Sequence, residues 1–158
     1  MADALVVRGM RKRFGKLVAV DDLSLSVGRG EILGLVGPNG AGKTTALRCL
    51  CGLLRMDAGR AWIEGHDIVA DPLPGRQALA FIPEVPHPFP FLTAKEHLIF
   101  VARTYGLSDG WETRADRILC ALDLDEKADS IAMELSKGQK QKIHLAMAAV
   151  RFARPPRK

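Results

Sequence analysis

The 158 residues are enough for one domain with a core of its own and too few for two of ordinary size. A hydrophobic share of 47% with 26% charged residues excludes a disordered chain, and a net charge of +5 suits an anionic ligand without pointing to nucleic acid. No apolar run approaches the ~18 residues of a membrane span, and no signal-peptide core follows the N-terminus, so a cytosolic location is expected. Cys49, Cys51 and Cys120 are odd in number and sit in apolar helical settings, which predicts buried free thiols.

In chain order, Leu5-Val6-Val7 opens a strand, and Leu23, Leu25 and Val27, alternating with Ser24 and Ser26, predict a half-buried antiparallel strand. Between them lies a basic stretch holding Phe14, which is open to two readings: a core side chain, or a face on which a purine base stacks. Glu31-Ile32-Leu33-Gly34-Leu35-Val36 predicts a strand that runs into Gly37-Pro38-Asn39-Gly40-Ala41-Gly42-Lys43-Thr44-Thr45 and then a helix to about Leu54. The middle segment meets every fixed position of the phosphate-binding pattern G-x-x-x-x-G-K-S/T. Glycines let successive N–H groups turn inward on a phosphate, and the helix that follows presents its positive end to the same anion. Lys43 supplies a mobile charge for the outer phosphates, and the Thr44 hydroxyl supplies a ligand for the accompanying Mg²⁺.

Further on, Asp57-Ala58-Gly59 reads as a turn, Ala61 to Glu64 as a short strand and Ala78 to Ile82 as a buried strand. Four prolines between Pro83 and Phe91 forbid helix and ladder, which predicts a rigid extended loop carrying Phe89 and Phe91. Thr93 and Glu96 have capping-box spacing ahead of a helix to about Gly106, with Leu98, Val101, Ala102 and Tyr105 on one face. A second helix shows Ala115, Ile118, Leu119 and Leu122 together. Ser136 and Gly138 stand at the mouth of a last helix, either as a second anion site or with Ser136 as a plain N-cap.

Taken together, these motifs resemble the ATP-binding subunit of an ABC transporter. Gly37 to Thr45 matches that family's Walker A wording, and Leu135-Ser136-Lys137-Gly138-Gln139 is similar to its LSGGQ signature, with Lys137 in place of the first glycine. Phe14 falls where the family places its adenine-stacking aromatic, and Glu84 falls where its Q-loop glutamine is usual. The resemblance implies an α/β fold: a P-loop NTPase core with an antiparallel N-terminal β portion over residues 1–83, an inserted α-helical subdomain over 84–134 and a signature helix over 135–150. It implies ATP and Mg²⁺ as ligands, bound through Phe14 and through Gly37, Asn39, Gly40, Ala41, Gly42, Lys43, Thr44 and Thr45, with Thr44 and Glu84 facing the metal. Ser136, Lys137, Gly138 and Gln139 would act in trans on the nucleotide of a second such domain. A membrane-spanning permease subunit would meet the 84–91 loop through Phe89 and Phe91, holding the chain peripherally at the inner face of the membrane, with no role for nucleic acid.

The pattern breaks after the signature. No Asp or Glu follows Glu134, so the family's Mg²⁺-orienting aspartate, water-polarising glutamate and γ-phosphate-sensing histidine have no counterpart. Hydrolysis by these residues alone is expected to be severely impaired. Binding of Mg-ATP without hydrolysis is the alternative function. The basic, proline-containing residues 151–158 are unlike the family and predict a truncated or frame-shifted end. Without a neighbour strand, the apolar 32–35 segment is expected to leave an open edge and a marginally stable monomer. No Asn-Lys-x-Asp guanine-reading motif occurs, which disfavours GTP.

Overall fold

The computed structural model describes residues 3–152, which divide into two compact units with the boundary between Ala80 and Phe81. Most of the basic tail read at 151–158 therefore lies outside the described residues.

The first unit is built on a long hairpin. Strand β1 (Asp3–Phe14) pairs antiparallel with β2 (Leu17–Gly28), and β1 pairs on its other edge with β3 (Ala58–Ile63), which in turn carries the two-residue β4 (His66–Asp67). Leu23, Leu25 and Val27 are half-buried and Ser24 and Ser26 exposed, the alternation expected of a sheet with one covered face. The covering comes from α1 (Lys43–Leu50), whose Ala46, Cys49 and Leu50 pack with Val7, Met10, Ala61 and Ile63. Asp57 ties the hairpin tip to β3. Its carboxylate accepts from Lys12 Nζ at 2.9 Å and from the Arg13 N–H at 2.6 Å, which holds this carboxyl below the usual range.

Two expected strands do not form. The 31–36 segment joins no ladder among the described residues and lies in the open, with Ile32 97% and Val36 94% exposed. Apolar character alone does not make a strand, which exists only when a neighbour takes up its N–H and C=O groups. Residues 78–82 are likewise irregular, because the chain before them turns through α2 (Pro72–Gln77). Asp71 at its N-cap and Pro72 in its first turn were the available signals for this helix.

The second unit is helical: α3 (Ala94–Tyr105), α4 (Trp111–Ala121) and α5 (Lys137–Phe152), with short 3-10 turns at Asp125–Lys127 and Ala132–Glu134. Leu98 and Val101 of α3, Ala115 and Leu119 of α4, and Ile143, Ala146 and Val150 of α5 share one core with Leu124. The capping box at Thr93 is complete: Thr93 Oγ1 accepts the Glu96 N–H at 3.1 Å, and the Thr93 N–H reaches the Glu96 carboxylate at 2.8 Å. Gly106, at φ 57°, closes the other end in the left-handed conformation that suits glycine. The three cysteines are free, but only Cys49 is buried. Cys120 is exposed, because it follows Leu119 on α4 and so points about 100° away from the core-facing stripe. Burial pushes the half-buried Cys51 thiol up to about 11.

Candidate functional site: the phosphate loop and the signature turn

The Gly37 to Thr45 segment forms a tight loop at the mouth of α1. The Ala41 N–H donates to Pro38 O at 3.2 Å, and Gly40 and Gly42 both take positive φ, at 84° and 81°. Gly42 is the N-cap of α1, and a Cβ there would stand 1.9 Å from the Ala19 carbonyl oxygen of β2. No other residue type fits between this loop and the hairpin. The first turn of α1 has no acidic side chain, so its free N–H groups face outward uncompensated. The Lys43 ammonium folds back over the loop and donates to Gly37 O at 2.6 Å and Pro38 O at 2.7 Å.

Beside the loop lies a cavity of about 350 Å³, bounded by Ala41, Gly42 and Lys43 on one side and by residues 19–24 of β2 on the other. An exposed Thr44 hydroxyl, an ammonium with mobile partners and a set of outward amides form a donor set suited to a polyphosphate and its hard cation. Phe14, 47% exposed at the hairpin tip, is not a core residue. Lys12 Nζ lies 5.4 Å from its ring centroid, and Phe14 is outside the cavity lining. The structure brings Gly37 through Thr45 together in one loop, and Phe14 belongs to the same unit but not to the cavity lining.

In the second unit, Ser136 caps α5. Its hydroxyl accepts the Gln139 N–H at 3.2 Å, and its own N–H reaches Gln139 Oε1 at 2.9 Å, a reciprocal cap. The plain N-cap is therefore realised, while Ser136, Lys137 and Gly138 stay exposed at the helix mouth above a buried Leu135. Nothing stands within 4 Å of a Cβ placed on Gly138, so the approach to this end of the helix is open. Glu84 is exposed on the proline-rich loop of the same unit; Thr44 belongs to the other.

The sequence reading passed over the side chains that hold this loop. His97, wholly buried on α3, accepts the Phe89 N–H through Nε2 at 2.9 Å, with its Nδ1 2.7 Å from Thr93 O. His144 on α5 accepts the His87 N–H through Nε2 at 3.2 Å, and Gln141 Nε2 donates to Pro83 O at 3.2 Å. The Phe89 ring lies on the His97 imidazole with centroids 5.8 Å apart. A side chain that binds a main-chain group outside its own helical turn leaves no short-range pattern to read, so spacing could not reveal these contacts. Among the described residues, no group of three His, Cys, Asp or Glu side chains could hold a metal ion.

A family model described as ABC transporter matches residues 20–154, most of the chain. This chain belongs to the ABC transporter family. Among curated relatives it is similar to the SkfA peptide export ATP-binding protein SkfE of Bacillus subtilis (strain 168), at 43% identity over 153 residues, covering 93% of this chain and 61% of that protein. It is also similar to the lipopolysaccharide export system ATP-binding protein LptB of Acidithiobacillus ferridurans, at 33% identity, covering 94% of this chain and 63% of that protein. A solved structure described as the ATP-binding subunit of an ABC transporter superposes with a TM-score of 0.87 at 33% identity, covering 94% of this chain and 62% of its own. The chain thus spans about three-fifths of the length of these relatives. Family membership implies nucleotide binding. Among the described residues, no helix is long and apolar enough to cross a membrane.

Proposed function

We propose that this chain acts as the ATP-binding subunit of an ABC transporter, coupling nucleotide occupancy to the movement of a membrane-spanning permease. The observation that carries this reading is the loop at the head of α1: left-handed Gly40 and Gly42, outward amides, and a Lys43 ammonium held on loop carbonyls ready to transfer to an anion. In this reading Lys43 grips the outer phosphates and the Thr44 hydroxyl takes a place on Mg²⁺. The amides around Asn39, Gly40, Ala41 and Gly42 cradle the phosphate chain with Thr45 behind them, and Phe14 offers a ring face to adenine. Mg²⁺ would supply charge neutralisation of the phosphates. Ser136, Lys137, Gly138 and Gln139 would face the nucleotide of a second domain, and Glu84 would lie at the metal's edge. The permease would seat on the 84–91 loop, where Phe89 is half-exposed and Phe91 is 73% exposed. That partner would hold the chain at the inner membrane face.

Uptake rather than turnover is the appropriate readout, since these residues contain no Asp or Glu after Glu134 to orient an attacking water. Titration of the folded chain with a fluorescent ATP analogue in excess Mg²⁺ is expected to saturate at one equivalent. Lys43→Ala should weaken binding by about 10- to 100-fold, the equivalent of losing charge-assisted bonds worth roughly 1.5–3 kcal/mol. Equal binding by the parent and Lys43→Ala proteins would overturn the assignment.

A further inference from the structure

The proline-rich loop is held against the helices by two imidazoles rather than by hydrophobic packing alone. Phe89 and Phe91 are both largely in solvent, and Phe89 touches the protein through the edge of Phe100, 5.3 Å away, and the face of His97. Three of the bonds that fix the backbone come from side chains: His144 Nε2 takes the His87 N–H, His97 Nε2 takes the Phe89 N–H, and Gln141 donates to Pro83 O. Prolines at positions 83, 86, 88 and 90 remove four of the loop's nine N–H groups, so few remain through which it could have joined a ladder.

A ring nitrogen that accepts an N–H must carry its lone pair. The His97 Nε2 contact therefore fixes that imidazole as neutral with its proton on Nδ1, where it donates to Thr93 O. The imidazolium has two donors and no acceptor, so it would place a proton against the Phe89 N–H.

We propose that His97 and His144 are positioning residues that form an acid-releasable clamp, each neutral ring holding one backbone N–H of the Pro83–Phe91 loop, so that protonation of either ring frees the loop from the helix that bears it. The functional weight of this clamp rests on the reading of the loop as the permease-facing surface.

The surroundings of the two rings are consistent with neutral forms near pH 7. Burial pushes the His97 imidazolium down from the usual value near 6.5, opposed by its bond to Thr93 O and by the Glu96 carboxylate on the same helix. Burial also lowers His144, helped by His97 from α3 and His87 from the loop, which would repel a second positive charge. Folded values below the unfolded one mean that the clamp's contribution is intact above about pH 6.5 and is lost as pH falls through the lowered values. The far end of the loop has no such dependence. Met133 donates to Pro90 O and Ala132 to Leu92 O, both at 2.9 Å and both from main-chain N–H groups. Acid should therefore loosen residues 84–89, while Pro83, held by Gln141, and residues 90–92 stay pinned.

The test is nuclear magnetic resonance on the full chain between pH 8 and pH 5. Side-chain nitrogen shifts should show His97 as the neutral Nδ1–H tautomer at pH 7.5. The Phe89 and His87 amides should be protected at pH 8 by at least about tenfold over a flexible segment. That protection should fade in step with titration of the rings, while the Ala132 and Met133 amides keep theirs and report that the unit is still folded. His97→Gln, whose amide oxygen can accept the same N–H but does not titrate, should hold Phe89 protection constant across the range, and His144→Gln should do the same for His87. Two histidines titrating freely near 6.5, an Nε2–H tautomer at His97, or Phe89 and His87 protection that ignores ring protonation would each overturn the clamp. Mg-ATP uptake by the same sample is scored separately, so a failed clamp and a failed nucleotide assignment give different results.

Discussion

The apolar segment leading into the phosphate loop and the apolar faces of the helical unit hold their shape in opposite ways. In the helical unit, Thr93, Glu96 and Gly106 mark the ends of α3 and every turn between them is closed by the helix itself, so local residues suffice to define the element. In the first unit, the apolar 31–36 segment leading into the phosphate loop has no ladder partner among the described residues, and its Ile32 and Val36 stand in solvent. Helices are specified by what lies three or four residues away, strands by what lies across the sheet, and only the first kind of information is local.

That contrast can be broken most directly in the helical core. Leu98 is buried among α3, α4 and α5, and Leu98→Ala should cost about 2–5 kcal/mol of stability, read as a shift in a urea melt followed by circular dichroism. The loop has one point of comparable sensitivity. Gly42→Ala adds a Cβ 1.9 Å from Ala19 O at a φ of 81°, and should cost on the order of 1–3 kcal/mol while abolishing saturable uptake of Mg-ATP analogue. A smaller effect is expected at the cap: Thr93→Ala removes one half of a reciprocal pair and should lower stability by about 1 kcal/mol in the same melt. The smallest should come from the open segment. Ile32→Ser, at a site 97% exposed, should change stability by no more than about 0.5 kcal/mol, and amides 32–36 should exchange with solvent close to the unprotected rate. A large loss at Ile32 would mean that the segment is covered in solution and would erase the contrast.

The legibility of the chain follows the same division. The hairpin alternation at Leu23, Leu25 and Val27, the capping box at Thr93 and the phosphate-loop pattern were readable because each is a short-range regularity with a physical cause. Phe14 was ambiguous because one aromatic between basic residues carries no period, and only its place at a hairpin tip shows that it is exposed. Residues 78–82 looked like a strand by composition, but α2 had already turned the chain. The loop partners of His97, His144 and Gln141 were invisible for a different reason: each binds a main-chain group that no fixed short spacing links to it.

Lys43 shows how the loop at the head of α1 accommodates its own charge. Its ammonium is satisfied by two carbonyl oxygens at 2.6 and 2.7 Å, so under the proposed function a polyphosphate would enter by substitution, displacing bonds worth roughly 1.5–3 kcal/mol each before adding its own. Net affinity is then a difference between two similar quantities. Small changes in the geometry of Gly37 or Pro38, neither of which needs to touch the ligand, would be passed on undiminished, at about a tenfold change in occupancy for every 1.4 kcal/mol.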